Sequence, residues 1–194
     1  MDKLQKCASA YQNLLDYQYN IILGRKGKLS HLHIRFTKWD FHHLMGLGKL
    51  KDLRIARKNR AEVFDDIIEG RTTYSSLLTS RYLPLVENRF APLSAIESLL
   101  DSNETIFRFN TKLNQFSLIE ADYLMSTPYE GNDIYIFVAS SDNPDEYYCR
   151  SFFPKENKDY TTGQSIHTLL YKDKENLVTN DKVVLYDKLT PKAE

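Results

Sequence analysis

Apolar and polar residues follow two different periodicities along the first part of the chain. Residues 2–16 carry apolar side chains at spacings of three and four, which predicts an amphipathic helix. Residues 17–23 and 29–36 are rich in β-branched and aromatic residues, and the segment GRKGK lies between them. Two such runs around a short glycine-containing segment predict a β-hairpin.

The second predicted strand has one apolar and one polar face, because side chains alternate along a strand. Its leucine, isoleucine and phenylalanine are expected to meet the core. The polar face then carries His31, His33 and Arg35.

The middle of the chain has the pattern of short helices. Thr37-x-x-Asp40 has the form of a capping box before an apolar run, which predicts a helix beginning at Lys38. Gly46 and Gly48 are expected to end it. Further helices are predicted over residues 57–69, 72–89 and 94–101, with Gly70, Pro84 and Pro92 between them.

From residue 103 onward, short runs rich in Tyr, Phe, Ile and Val alternate with turn-forming segments. The predicted fold is therefore α+β, with an N-terminal helix and β-hairpin, several short helices, and then an antiparallel sheet of five or six strands. We expect one domain over residues 1–194. Within it, we expect a helical N-terminal extension (1–16), a hairpin and helical half (17–102) and a sheet half (103–188).

The net charge of zero conceals an uneven distribution. Residues 24–60 contain eleven Lys or Arg against two Asp, and four of the five histidines, whereas residues 61–194 carry 13 basic and 22 acidic side chains. This pattern indicates either a basic surface able to meet phosphate or a solvated helix face without a partner.

The composition also bears on the compartment. No stretch approaches the roughly 18 apolar residues that a membrane span needs, and the N-terminus lacks a basic segment followed by a long apolar one. Cys7 and Cys149 lie far apart in the sequence, which favours reduced thiols. We therefore expect a soluble protein in a bacterial cytoplasm, with no membrane partner.

The adjacent histidines of FHHLMGLGKL (residues 41–50) are candidate chemical groups. On the predicted helix, His42 and His43 flank an apolar stripe, so both a structural and a chemical role are open. Asp40 stands three residues before His43 and could orient its imidazole, unless it is occupied in capping the helix. His31-x-His33 could supply two metal ligands, but no Cys, Asp or Glu nearby in the sequence completes a set. We expect no metal and no cofactor.

Several pieces, taken in order, resemble a known family. They resemble the phage-type nuclease-like domains of the barnase/EndoU/colicin/RelE (BECR) group, fourth variety, over residues 15–188. The pieces are F-x-H-L-x-G-L-x-K-L (41–50), Asp52, Ser80, Arg89, ADYL (121–124), RSFF (150–153) and YK (171–172).

The resemblance implies a metal-independent ribonuclease with helices before an antiparallel sheet. Such cleavage needs a base for the ribose 2′-OH, an acid for the leaving 5′-oxygen and positive charge for the phosphorane. His43 matches the motif and is the predicted general acid or base, and His42 is predicted to be peripheral. The other predicted catalytic residues are Arg89 or Lys172 for the phosphate, with Ser151 and Tyr123 as hydrogen-bonding partners. The predicted substrate-binding residues are Lys49, Lys51, His31, His33 and Arg35.

The predicted partner is RNA. A structured RNA such as transfer RNA is favoured over bulk RNA, because a neutral protein has modest affinity for bulk RNA. Two alternatives stay open from the sequence. One is a non-enzymatic phage protein that inhibits a host defence nuclease. The other is a degenerate nuclease fold kept for its surface.

Overall fold

The computed structural model of the protein describes residues 1–102, 105–114 and 117–191. Its helices lie in the first half of the chain, as predicted. None of the helices in these ranges has the length and apolar character needed to cross a membrane. The helices are α1 (Lys3–Gln12), α2 (Lys38–Leu44), α3 (Arg60–Ile68), α4 (Tyr74–Leu77), α5 (Phe90–Leu93) and α6 (Ile96–Asp101).

The strands occur in two groups along the chain. A hairpin of β1 (Tyr17–Arg25) and β2 (Lys28–Arg35) comes before α2, and its two-residue turn has Lys26 at φ 48° and Gly27 at φ 75°. Two positive φ values suit the right-handed twist of the flanking strands. The predicted hairpin is confirmed. The strands are β1 (Tyr17–Arg25), β2 (Lys28–Arg35), β3 (Thr105–Arg108), β4 (Tyr123–Tyr129), β5 (Asn132–Ser140), β6 (Glu146–Pro154), β7 (Ser165–Asn176) and β8 (Lys182–Asp187).

Helix α2 begins and ends where the sequence predicts. The side chains of Thr37 and Asp40 form the capping box at its N-terminus. After Met45 the backbone enters the left-handed region at Gly46, with φ 73°, and the α-helix stops.

The predicted helix over residues 72–89 is wrong. Only α4 is helical, followed by two 3₁₀ turns, Leu83–Leu85 and Glu87–Arg89. The carboxylate of Asp52 accepts hydrogen bonds from the hydroxyl of Ser80 at 2.6 Å and from the backbone N–H of Arg81 at 3.0 Å, so this stretch is tied to the loop after α2. Pro84, which has no N–H to donate, follows within the next turn.

The predicted sheet of five or six antiparallel strands is also wrong. One sheet contains eight strands in the order β1-β2-β6-β5-β4-β3-β7-β8, and β1 also pairs with β7, so seven strands close into a barrel. The hairpin joins this sheet on both sides, because β2 pairs with β6 in parallel and β1 pairs with β7. Local periodicity identified the six later strands and the hairpin, but not that they share one sheet.

The two faces of the sheet belong to different clusters. One face packs with the helices in the main core, which includes Tyr11, Phe41, Phe64 and Val138. On the other face lies a smaller aromatic cluster around Phe137. The ring of Phe137 stacks with Phe153 at a centroid distance of 5.5 Å. This second cluster forms one side of the cleft described next.

Candidate active site

The two adjacent histidines have different environments. His42 is 3% exposed, and its Nε2 lies 3.0 Å from the carbonyl oxygen of Ile55, so the ring is part of the interior. His43 is exposed at the C-terminal end of α2. Of the two imidazoles, that of His43 is exposed to solvent, whereas the buried ring of His42 lines part of a cavity beside it.

Asp40 does not orient His43. One oxygen of its carboxylate accepts from the backbone N–H of Thr37 at 2.9 Å and from the Thr37 hydroxyl at 2.8 Å. The suggested contact from Asp40 to the imidazole is therefore wrong, because this carboxylate caps α2. The charged groups that act on His43 are cations instead, namely Arg150, Arg60 and Arg89.

Gly46 allows a guanidinium to pack against the end of α2. A Cβ atom at this position would lie 3.2 Å from Cζ of Arg89 and 2.9 Å from Cγ1 of Val86. The residue also has φ 73°, which favours glycine over residues with a side chain. The glycine of the HLxGL segment thus ends the helix and makes room for Arg89.

Arg89 is 5% exposed and lies between the end of α2 and the sheet. Its Nη1 donates to the carbonyl oxygen of Leu44 at 2.8 Å, and its Cζ lies 5.6 Å from the ring centroid of Phe153. The Nε atom is buried without a hydrogen-bond partner among the described residues. Burial lowers the pKa of Arg89 to about 10, although the carboxylate of Glu156 acts in the opposite direction. The guanidinium is therefore a fixed cation with unused donor capacity.

A β-bulge in β6 places two neighbouring polar residues on one face. Phe137 pairs with Ser151 but Val138 pairs with Cys149, so Arg150 is an extra residue in the ladder. Cys149 and Phe152 both point into the main core. The side chains of Arg150 and Ser151 consequently lie together on the opposite face of β6.

An open cleft lies between the loop after α2 and this part of the sheet. It consists of two adjoining cavities with volumes of about 500 and 380 Å³. We call the two together the His43 cleft. Four residues line both cavities: His43, Lys49, Arg89 and Ser151. The structure thus brings together three of the predicted catalytic residues and one predicted substrate-binding residue.

The charges around His43 oppose its protonation. Desolvation, followed by the positive charges of Arg150, Arg60 and Arg89, lowers the pKa of His43 to about 4. The imidazole is therefore neutral near pH 7 and can accept a proton.

Lys49 experiences a similar environment. Burial and the nearby Arg89 lower the pKa of its ammonium group, while Glu156 acts to raise it. Among the described residues that line the His43 cleft, Glu156 carries the only carboxylate, and its Oε1 accepts from Nδ2 of Asn88 at 2.7 Å. The cleft is consequently rich in positive charge.

Lys172 and Tyr123 lie elsewhere. Lys172 is 4% exposed on β7, and its Nζ donates to the carbonyl oxygen of Ser102 at 2.5 Å. Tyr123 is buried on β4 beside Tyr147, His167 and Arg108. Neither residue lines the His43 cleft.

The other predicted substrate-binding residues lie in two further places. Lys51 lines a separate open cavity of about 450 Å³ with Arg54 and Arg57. His33 and Arg35 are held on the polar face of the hairpin by hydrogen bonds to Asn20, at 2.6 Å, and to Gln18, at 2.7 Å, and His31 is exposed on the same strand.

Sequence reasoning missed some residues of the site. Arg60 follows the cap of α3 and lines the smaller cavity, and Phe153 and Tyr160 line the larger one. Phe153 had a sequence signal, since RSFF is part of the resemblance, and Arg60 is the last basic residue of the 24–60 segment. Among the described residues, no three His, Cys, Asp or Glu side chains are placed to hold a metal ion.

Comparison with known proteins gave one match. A family model described as phage-Barnase-EndoU-ColicinE5/D-RelE like nuclease 4 matches residues 3–189, which is nearly the whole chain. Searches of curated proteins and of solved structures gave no match.

Proposed function

The chain belongs to this family of nuclease-like proteins, and on that basis we propose that it is a ribonuclease that cleaves RNA in the His43 cleft without a metal ion. The observation that carries the proposal is the grouping in one open cleft of a neutral imidazole with Arg89, Lys49 and Ser151. A single carboxylate in the lining does not resemble the oxygen-rich ligand sets that hold catalytic Mg²⁺.

The proposed reaction is attack of the ribose 2′-oxygen on the adjacent phosphorus. His43 accepts the 2′-OH proton as the bond between the 2′-oxygen and phosphorus forms. The bond from phosphorus to the 5′-oxygen then breaks, and the ammonium group of Lys49 gives that oxygen a proton. The products are a 2′,3′-cyclic phosphate and a 5′-hydroxyl end.

Arg89 is the proposed stabiliser of the phosphorane. Its guanidinium is anchored through Nη1, so it does not need to be reordered when negative charge develops on the phosphate oxygens. Ser151 is proposed to donate a hydrogen bond to the same oxygens. Lys172 and Tyr123 are not part of this mechanism, because they do not line the cleft.

The loop after the cleft is the proposed contact for the RNA backbone. Lys51, Arg54 and Arg57 are exposed, and none forms an ion pair with another described residue. These cations could neutralise phosphates on either side of the cleavage site. The net charge of zero still favours a particular RNA over bulk RNA, and transfer RNA is our first candidate.

The proposal is tested with purified protein, total RNA and transfer RNA in excess EDTA. We expect cleavage that leaves 2′,3′-cyclic phosphate ends, because the 2′-oxygen is the nucleophile. The control is the same RNA with a 2′-deoxy nucleotide at the cleavage site, which we expect to resist. Cleavage of the deoxy control would contradict the mechanism, and no cleavage of any RNA would favour a non-catalytic binding protein.

The pKa shifts give an expected pH dependence. His43 acts as a base only when neutral, so kcat/KM is expected to fall on acidification near pH 4 instead of at the ordinary histidine value of 6.5. Lys49 acts as an acid only when protonated, so the alkaline limb should lie below 10.5, its ordinary pKa. The measurement is kcat/KM against pH on a short RNA.

The acid limb of kcat provides a check on this assignment. A bound phosphate stabilises the imidazolium, so the limb of kcat should lie at higher pH than the limb of kcat/KM. An acid limb of kcat/KM near 6.5 would show that the base is a histidine outside this cationic environment.

A further inference from the structure

The larger cavity of the His43 cleft has an apolar side that the proposed reaction does not use. Phe153 and Tyr160 form part of it and are only partly buried. Leu118 lines the same cavity and is 96% exposed, and Leu85 is 55% exposed. A single exposed leucine is ordinary, but exposed leucines and aromatic rings lining one cationic cavity form a concave apolar surface.

We propose that this apolar side is a binding site for one nucleobase next to the cleaved phosphate. The inference rests on the proposed function, since it assigns the base to the same RNA whose phosphate meets Arg89. Every base has an apolar π-face, and aromatic and aliphatic side chains bind such faces without regard to sequence. We name the surface the base subsite and define it by Tyr160, Leu118, Ile119 and Phe153.

Tyr160 is held as a rigid element of the base subsite. Its ring packs edge-to-face against Phe137 at a centroid distance of 5.4 Å and against Phe153 at 5.7 Å. Nζ of the exposed Lys158 lies 4.7 Å from the ring centroid, and such an exposed cation–π contact is weak enough for an incoming base to displace. A pre-positioned ring binds a base at little entropic cost.

The base subsite is joined to the phosphate site through Arg89 and Phe153. The guanidinium that we assign to the phosphate lies 5.6 Å from the ring centroid of Phe153. A nucleotide bound in the larger cavity can therefore place its phosphate against positive charge while its base contacts the apolar side. The occupant is an unpaired nucleotide, because a stacked base in a duplex cannot present its face to a side chain.

Binding of small ligands tests the base subsite independently of cleavage. Adenosine 5′-monophosphate and ribose 5-phosphate carry the same phosphate and differ in the base. We expect the nucleotide to bind about tenfold or more tightly by calorimetric or NMR titration of the full chain. Equal affinities would overturn the base subsite, whatever the result of the RNA cleavage assay.

Substitutions at two positions, Leu118 and Tyr160, locate the effect. Leu118→Ala is expected to reduce the preference for the nucleotide severalfold without affecting folding, because the side chain is almost fully exposed. Tyr160→Ala should abolish the preference and Tyr160→Phe should retain it. Leu78→Ala, at a leucine that is 59% exposed and does not line the cleft, is the matched control and should change nothing. A nucleotide preference that survives both Leu118→Ala and Tyr160→Ala would place the base elsewhere and overturn the assignment.

The cleavage assay separates this proposal from the proposed function. An RNA with a single abasic nucleotide beside the cleavage site should be cut about tenfold or more slowly than the intact RNA. Equal cleavage rates for the abasic and the intact RNA would overturn the base subsite and would still support the ribonuclease. Absence of all cleavage overturns the ribonuclease, and the nucleotide titration then decides the base subsite by itself.

Discussion

His43→Ala is expected to lower kcat/KM for RNA by about 10²- to 10⁴-fold, the usual contribution of a positioned acid or base. The side chain is exposed at the end of α2, and its neutral imidazole forms no ion pair with a described residue that the substitution would remove. The variant should therefore fold as well as the wild type, and its thermal midpoint should not fall. The measurement is kcat/KM on a short RNA together with a thermal unfolding curve.

Two neighbouring positions serve as controls for His43. Trp39→Ala alters the same helix at a residue that is 51% exposed and lies outside the cleft, so activity should be retained. His42→Ala removes a buried ring together with its contact to Ile55. Its main effect should be a lower thermal midpoint, because deleting a buried, hydrogen-bonded side chain costs stability. Wild-type activity in His43→Ala would remove this residue from the mechanism.

Arg89→Met is expected to reduce kcat by about 10²- to 10³-fold, the size observed when one fixed donor to a developing oxyanion is removed. Methionine fills much of the same space but cannot donate to phosphate. Arg89→Lys should recover only part of the activity, because an ammonium lacks the planar fork that can hold Leu44 and a phosphate oxygen at once.

The effect of Arg89→Met on stability should be small in comparison. The carbonyl of Leu44 loses its donor, which costs about 1–3 kcal/mol when an acceptor is left buried. The substitution also removes a buried guanidinium whose Nε has no partner among the described residues. Loss of its desolvation penalty stabilises the variant and acts against the cost at Leu44. Thermal unfolding measures the balance, with Arg81→Met at an exposed site as the matched control. If Arg89→Met is unfolded at about 25 °C, the main role of Arg89 is structural and its assignment to the phosphorane is contradicted.

Local signals in the sequence predicted the surroundings of His43 well. The capping box of Thr37 and Asp40 sets the start of α2, and Gly46 ends it, and each of these signals acts within a few residues. The same pattern predicted Asp40 as a possible partner of His43. The sequence could not decide between that contact and the cap, because one carboxylate was available for both.

The rest of the site depends on contacts between distant parts of the chain. Arg89 reaches the end of α2 across 45 positions of sequence, and the bulge that places Arg150 beside Ser151 on one face of β6 depends on how β5 pairs with β6. Periodicity within one segment carries no information on the contact of Arg89 with α2 or on the pairing of β5 with β6. For the same reason, the sequence did not distinguish Arg89 from Lys172 as the phosphate cation, although only Arg89 lines the cleft.

Closure of the sheet has a consequence for how the molecule is made. The partners in β1 and β7 are separated by about 150 residues, so the ring cannot close until β7 has left the ribosome. Until then β1 and β3 each keep an unpaired edge, which is open to pairing with other chains. The residues of the His43 cleft, from His43 to Tyr160, all precede β7. Strand β7 therefore covers both open edges, and the groups assigned to catalysis are already synthesised when it pairs.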